Sequence, residues 1–382
     1  MSAPLSLVVM LGGMDGGPLE TLLRRALEAS ALDGIEAALA TGRFERALLL
    51  ADRVPSLPVP AGTIVDLDPP GTTFSYGGRL AGAVAAHGIE RLLYLGGGSA
   101  PLLGREQFEA LADGVAGDVA GGAPGEPVCV TNNFYSADLF ALAPAALLAR
   151  LDPAPGADNA VPRRLHEELG VAVSELPRSL ATQLNLDSPV DLAALALAGS
   201  AGPRLGALLA GWAPPTERLA SAARAFTDRE AEVLVAGRVS SRSWQYLERE
   251  TACRVRVLAE ERGMGAAGRD SGGEARSLLG QLIAAVGPAR FFRELLPELC
   301  DAAFIDTRPA LVQLGLAPSR ADRFASDLGL VGEIADRGLR TLTEEAAAAS
   351  VPVVLGGHSL VAGVLMLLND WAWGERERAS GA

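Results

Sequence analysis

The chain has 382 residues, a length that predicts two domains. Hydrophobic residues make up 49% and charged residues 21%, enough apolar material for sizeable cores. The net charge of −13 disfavours general nucleic-acid binding, which needs a basic footprint, and no apolar stretch reaches the roughly 18 residues of a membrane helix. Neither nucleic acid nor membrane is therefore an expected partner. Three cysteines stand far apart with no CxxC pair, and three histidines have no metal-ligand spacing, so a disulfide framework or zinc site is not expected and a cytoplasmic setting is. Lysine is absent, which excludes a Walker lysine, a Schiff base and a lysine nucleophile. Arginine must carry any anion recognition.

The segment MSAPLSLVVMLGG lacks a basic stretch ahead of its apolar run and predicts a first strand rather than a secretory signal. A helix follows from Pro18 through the run ending at Leu39, then short strands in RALLLAD and GTIVDLDPP. TFSYGGRLAGAVAAHG is helix-like and closed by Gly88. IERLLYLGGG predicts a strand, GREQFEALADGV a helix, GDVAGGAPGEP (117–127) a loop, and PVCVTNNFYSADLFALAP one or two strands around a polar kink. Asn159 is a helix N-cap candidate before PRRLHEELG. Alternating strands and helices predict a mostly parallel sheet with helices on both faces.

Glycine and proline cluster at 201–216, which predicts a linker between domains spanning 1–200 and 217–382. The second half is again α/β and helix-rich. Its predicted strands are EVLVAG, CRVRVLAEE, DAAFIDTR and VPVVLGGH, and a capping box is expected at Thr227 and Glu230. Arg323 and Asp327, four residues apart, read as a surface ion pair.

Two glycine-bearing loops end strands of the first half: Gly12, Gly13 and Gly16 in LGGMDGGPL, and Gly97, Gly98 and Ser99 in GGGSAPLL. Without Cβ atoms such loops let backbone N–H groups approach an anion, or they serve only as tight turns. Asn132 and Asn133 follow a strand; their amides could read a base edge or a sugar hydroxyl, or close an Asx turn on their own backbone.

On three stretches the first half resembles the nucleotidyltransferases of the molybdenum-cofactor and phospholactate guanylyltransferase type, which have a GT-A-like fold. LGGMDGGPL sits where that family has its nucleotide loop, YLGGGSAPLL where it has Asp-x-Pro-Leu-Leu, and ATQLNLDSPVDLAAL where it closes with an aspartate, Ser/Thr-Pro and Asp-Leu. The resemblance spans about residues 5–200. It implies a nucleotide or phosphorylated small molecule as ligand, Mg²⁺ as cofactor and nucleotidyl transfer as reaction. In the family the aspartate of Asp-x-Pro-Leu-Leu helps to hold Mg²⁺; here Ser99 takes its place, and the first loop lacks the family's arginine and lysine. Either metal binding has moved, to Asp187, Asp158 or Asp15, or the domain binds its ligand without transferring a nucleotide.

The four predicted strands of the second half all end in polar clusters. If parallel, they bring Arg238, Arg262, Glu261, Asp306, Arg308 and His358 to one rim. There the arginines would bind phosphate or carboxylate, Glu261 and Asp306 would act as acid/base or Mg²⁺ ligands, and His358 would carry a proton. The glycine-rich loop 263–277 is a candidate lid. Pairing among these charges for stability is the competing reading. These groups define a phosphate-ester or sugar-phosphate enzyme as one alternative function, and a non-catalytic ligand-binding or assembly protein is another; Asp187, in the closing motif of the first half, is a further catalytic and metal-ligand candidate. A homodimer is left open.

Overall fold

Strands buried on both faces carry apolar side chains at every position, because alternate residues enter opposite layers of the core. The first strand, β1 (Leu5–Leu11), has this pattern: Leu7 and Val9 enter one layer and Val8 the other. It is followed in chain order by β2 (Phe44–Ala51), β3 (Thr63–Leu67), β4 (Arg91–Gly96), β5 (Val128–Thr131), β6 (Leu139–Ala143) and β7 (Ala172–Glu175). In this computed structural model, which describes residues 5–116, 126–265 and 267–381, they form one sheet in the order β3-β2-β1-β4-β6-β5-β7. All neighbours are parallel except β6, which runs against both β4 and β5. Helices Pro18–Leu39 and Arg105–Gly114 cover one face and Tyr76–Ala86 and Val161–Leu169 the other.

The polar kink after Thr131 thus separates two strands. Strand β7 was not anticipated: at the sheet edge three of its four residues are exposed and the fourth is half-buried, so it lacks an apolar run. Gly88 takes φ +58° just past the second helix, as expected of a terminating glycine. Most of the loop expected at 117–127 lies outside the described residues.

The chain divides into two compact units. Unit 1 comprises residues 1–14, 24–184 and 202–205; unit 2 comprises 15–23, 185–201 and 206–382. Residues 202–205 join unit 1 because the Asp33 carboxylate accepts the backbone N–H groups of Arg204 and Leu205. The Gly/Pro-rich segment contains the helix Pro203–Ala210.

Unit 2 is built on β8 (Glu232–Gly237), β9 (Arg254–Ala259), β10 (Ala302–Asp306) and β11 (Val353–Gly356), all parallel, in the order β11-β10-β8-β9. One face packs on Phe291, Phe292, Leu296 and Leu339. On the other, Phe304 stacks on Phe226 at 5.1 Å between ring centroids. Edge strand β9 exposes Arg254 and Arg256, and such charges discourage pairing with another chain. The capping box at Thr227 does not form. Ala225–Thr227 is one 3₁₀ turn, Asp228 caps the Glu230 N–H, and β8 begins at Glu232. The expected strand EVLVAG begins so soon after this turn, with Val233 and Val235 in the sheet core, that no helix follows Thr227 to be capped. Among the described residues no single helix is long and apolar enough to cross a membrane.

Candidate functional site

In a parallel α/β sheet the carboxyl ends of the strands face one edge, where helix-leading loops leave backbone groups exposed. In unit 1, β1 and β4 are adjacent and parallel, so the loops beginning at Gly12 and Gly97 leave from one edge. A Cβ on Gly97 would lie 2.8 Å from Leu11 Cδ1 and 3.0 Å from Met10 O, so this glycine permits a close backbone approach to β1. Gly97 and Gly98 form a turn closed by the Ser99 N–H donating to Gly96 O at 3.0 Å. Gly13 has φ +79°, and its N–H donates to Asp52 Oδ2 at 3.4 Å. Asp52, which also pairs with Arg53, therefore puts a carboxylate of the chain itself against the first glycine turn. Gly12 and Gly13 belong to unit 1, whereas Gly16 belongs to unit 2, where it lies against the Glu20 side chain.

Asp158 reaches the same edge of unit 1 from the 3₁₀ turn Asp158–Ala160. It lies 3.4 Å, and the Ser99 hydroxyl 2.6 Å, from the point a Gly96 Cβ would occupy. The Tyr94 hydroxyl donates to Asp158 at 3.2 Å. A carboxylate thus stands beside the serine that takes the place of the family's aspartate. Ala100 follows with φ +46°, a conformation that non-glycine residues adopt only at a cost. The neighbouring cavity, about 120 Å³, is lined by Val9, Ser30, Asp33, Gly97, Ser99 and Phe108.

The asparagines have another use. Asn132 is buried; its amide donates to Asp138 and to Thr182 O and accepts the Asp138 and Leu139 N–H groups. Asn133 Oδ1 accepts the Tyr135 and Ser136 N–H groups in an Asx turn. Asn132, fully engaged, has nothing left to read a base. Asn159 does not cap the helix: its amide donates to Ser136 and Ala137 O.

In unit 2 the parallel strands do gather their polar ends. The carboxylate of Asp306, fully buried at the end of β10, accepts Arg238 Nε at 2.6 Å, Arg238 Nη2 at 3.1 Å, and the N–H groups of Arg238 and Arg308. Gly237 makes this contact possible. It has φ +117°, and a Cβ there would lie 2.5 Å from Asp306 Cβ. Arg308 forms a two-pronged pair with Asp327, so Asp327 belongs to a buried pair rather than to the surface pair expected with Arg323. Arg323 instead donates to Pro318 O. The partners Asp327 and Arg308 are nineteen residues apart, so no local spacing announces them.

Burial pushes Asp306 upward, but Arg238, Arg308 and His358 outweigh it and hold the carboxyl below its usual range. Asp187 and His358 lie within electrostatic reach of this group and of each other, and both keep solvent contact. Desolvation raises Asp187 against the pull of His358, Arg238 and Arg308. Desolvation and Arg238 lower His358, opposed by Asp306 and Asp187. Arg262 is exposed and has no ion-pair partner among the described residues. Glu261, with φ +55°, turns its carboxylate to Arg269 at 3.1 Å, away from an acid/base role. Ala266, in the candidate lid, lies outside the described residues.

Asp187, Asp306, Arg238, Arg308 and His358 therefore share one site in unit 2, while Gly12, Gly13, Gly97, Gly98, Ser99 and Asp158 belong to unit 1. Among the described residues no group of three or more His, Cys, Asp or Glu side chains could hold a metal ion. Ala100 and Glu261, the two non-glycine residues with positive φ among the described residues, fall one in each of these strand-end loops. No sequence signal marked Ala100, or the positive φ of Glu261, or Asp52 beyond its place just after a strand.

No protein-family profile and no curated protein matches the chain. Solved structures similar to parts of it include a cytidylyltransferase from Leptospira borgpetersenii, 15% identical, covering 54% of this chain and 92% of that one with a TM-score of 0.37. A CMP:2-keto-3-deoxy-manno-octonic acid synthetase complexed with CTP is 13% identical over 46% of this chain and 90% of its own, with a TM-score of 0.30. A 4-diphosphocytidyl-2C-methyl-D-erythritol synthase from Anaerococcus prevotii is 11% identical over 45% and 86%, with a TM-score of 0.31. These comparisons do not identify the molybdenum-cofactor and guanylyltransferase family, so that resemblance stands on its sequence motifs.

Proposed function

We propose that the chain binds a nucleotide or a phosphorylated metabolite on a nucleotidyltransferase-like unit 1, at the carboxyl edge of the seven-stranded sheet. The observation that carries this reading is the adjacency of β1 and β4, which puts two glycine-bearing turns on one edge beside the Asp158 carboxylate and Ser99 hydroxyl. Backbone N–H groups in such turns suit phosphate oxygens. The 120 Å³ cavity is smaller than a typical ligand pocket, so most of a nucleotide would lie across the open loops.

Mg²⁺ commonly takes one or two carboxylates with waters and substrate phosphates completing its shell. The hard oxygen donors of Asp158 and Ser99 fit that chemistry. These two residues would hold the ion, which would neutralise phosphate charge. The Gly13 N–H and the turn at Gly97 would orient the phosphates.

Calorimetry of the full chain with CTP, GTP, ATP and UTP, each with and without Mg²⁺, tests the reading. Binding that depends on Mg²⁺ and falls in Asp158→Asn supports it. No binding by any of the four nucleotides overturns it.

A further inference from the structure

Unit 2 contains a second strand-end site whose groups do not depend on the nucleotide reading. Its sheet order, β9-β8-β10-β11, places the first strand of the unit, β8, between the second and the third. Connections leave β8 and β10 in opposite directions, and the crevice at such a switch point is where open α/β sheets bind ligands.

The bonds within the cluster separate supporting groups from presented ones. Both Asp306 oxygens are held by Arg238 and by backbone N–H groups, and both Arg308 terminal nitrogens are held by Asp327. These residues form a pedestal. Arg238 uses Nε and Nη2 on Asp306, and its Nη1 has no partner among the described residues. Arg262, Asp187 and His358 reach solvent. Arg262 follows Glu261, which has a left-handed backbone and pairs with Arg269. Strain of this kind at a strand end collects at ligand sites.

We propose that this rim is a binding site for a phosphate monoester, with Arg238 and Arg262 gripping the phosphate oxygens and His358 and Asp187 exchanging a proton with the ligand. A cation is the poorer occupant: Asp306, the carboxylate in reach of Asp187, is already saturated by arginine and backbone donors. Phosphate suits the rim because its second ionisation falls near pH 6, close to that of imidazole, so ligand and His358 can share a proton. The charges acting on His358 include Arg238 just after β8, Arg262 in the loop after β9, Asp306 at the end of β10, and Asp187. An added dianion would oppose the arginines and favour the imidazolium.

The chain has three histidines, so imidazole NMR of the full protein resolves each, with His358→Asn giving the assignment. The probes are inorganic phosphate, glycerol 3-phosphate and acetate. The expected result is a saturable shift of the His358 signal with both phosphates, leaving His87 and His166 unmoved. Arg262→Gln, a change at an exposed side chain, should weaken phosphate binding about tenfold or more. Tighter binding of glycerol 3-phosphate than of inorganic phosphate identifies the monoester as the ligand class. Preference for inorganic phosphate, an unmoved His358 signal, an equal response to acetate, or unchanged affinity in Arg262→Gln would each overturn the proposal. Asp158→Asn should leave the His358 response intact, so loss of the nucleotide reading and loss of this one give different results.

Discussion

Replacing Asp306 by alanine removes the acceptor of four hydrogen bonds and leaves Arg238 without its counter-ion. Asp306 is fully buried and the Arg238 side chain 23% exposed. Breaking a buried pair from one side costs about 3–5 kcal/mol, because the remaining charge stays desolvated. The partial exposure of Arg238 lets it recover some hydration, which places the loss near the lower end, about 3 kcal/mol. For a unit of this size that lowers Tm by about 6–12 °C. Urea unfolding followed by circular dichroism measures it, with Asp306→Asn as the isosteric comparison. The pH dependence has a definite sign. The folded-state pKa of Asp306 is depressed, so its contribution is present above the unfolded value of about 3.9 and disappears as pH falls through the folded value. The gap between wild type and Asp306→Asn should close in acid. A loss under about 1 kcal/mol at pH 7 in Asp306→Ala, or a gap constant down to the lowest pH, would refute the account of a buried pair.

Two further outcomes are expected. Asp191 is buried with Oδ1 unpartnered, and desolvation raises its pKa well above the ordinary value. Wild type should therefore lose stability as pH rises above about 4 towards that raised value, and Asp191→Asn should be more stable by about 1–3 kcal/mol at pH 7, read from thermal melts across pH. In unit 1, Asp52 presents its charge to the Gly13 N–H that the nucleotide reading gives to phosphate. Asp52→Asn should tighten triphosphate binding about threefold to tenfold by removing a like charge, while its partly exposed pair with Arg53 contributes under about 1 kcal/mol of stability; calorimetry and melting of the same variant report both.

The alternation of apolar runs with helical spacing was enough to anticipate nine or ten of the eleven strands, the doubt being whether 128–143 held one or two, and the α/β class of both units, because a strand buried on two faces needs apolar residues throughout. It failed at β7, an edge strand with little burial, and at Thr227, where a local capping pattern lost to strand packing. Strand ends also announced the unit 2 cluster, since parallel pairing obliges successive carboxyl ends to share a rim. What each charged group does there depended on tertiary structure. Asp306 and Arg308 are taken up by Arg238 and Asp327, Glu261 by Arg269, and Asn132 by Asp138 and the backbone, whereas Asp187, His358 and Arg262 face solvent. Those partners come from distant parts of the chain, and only folding determines which side chains meet there and which are left for a ligand.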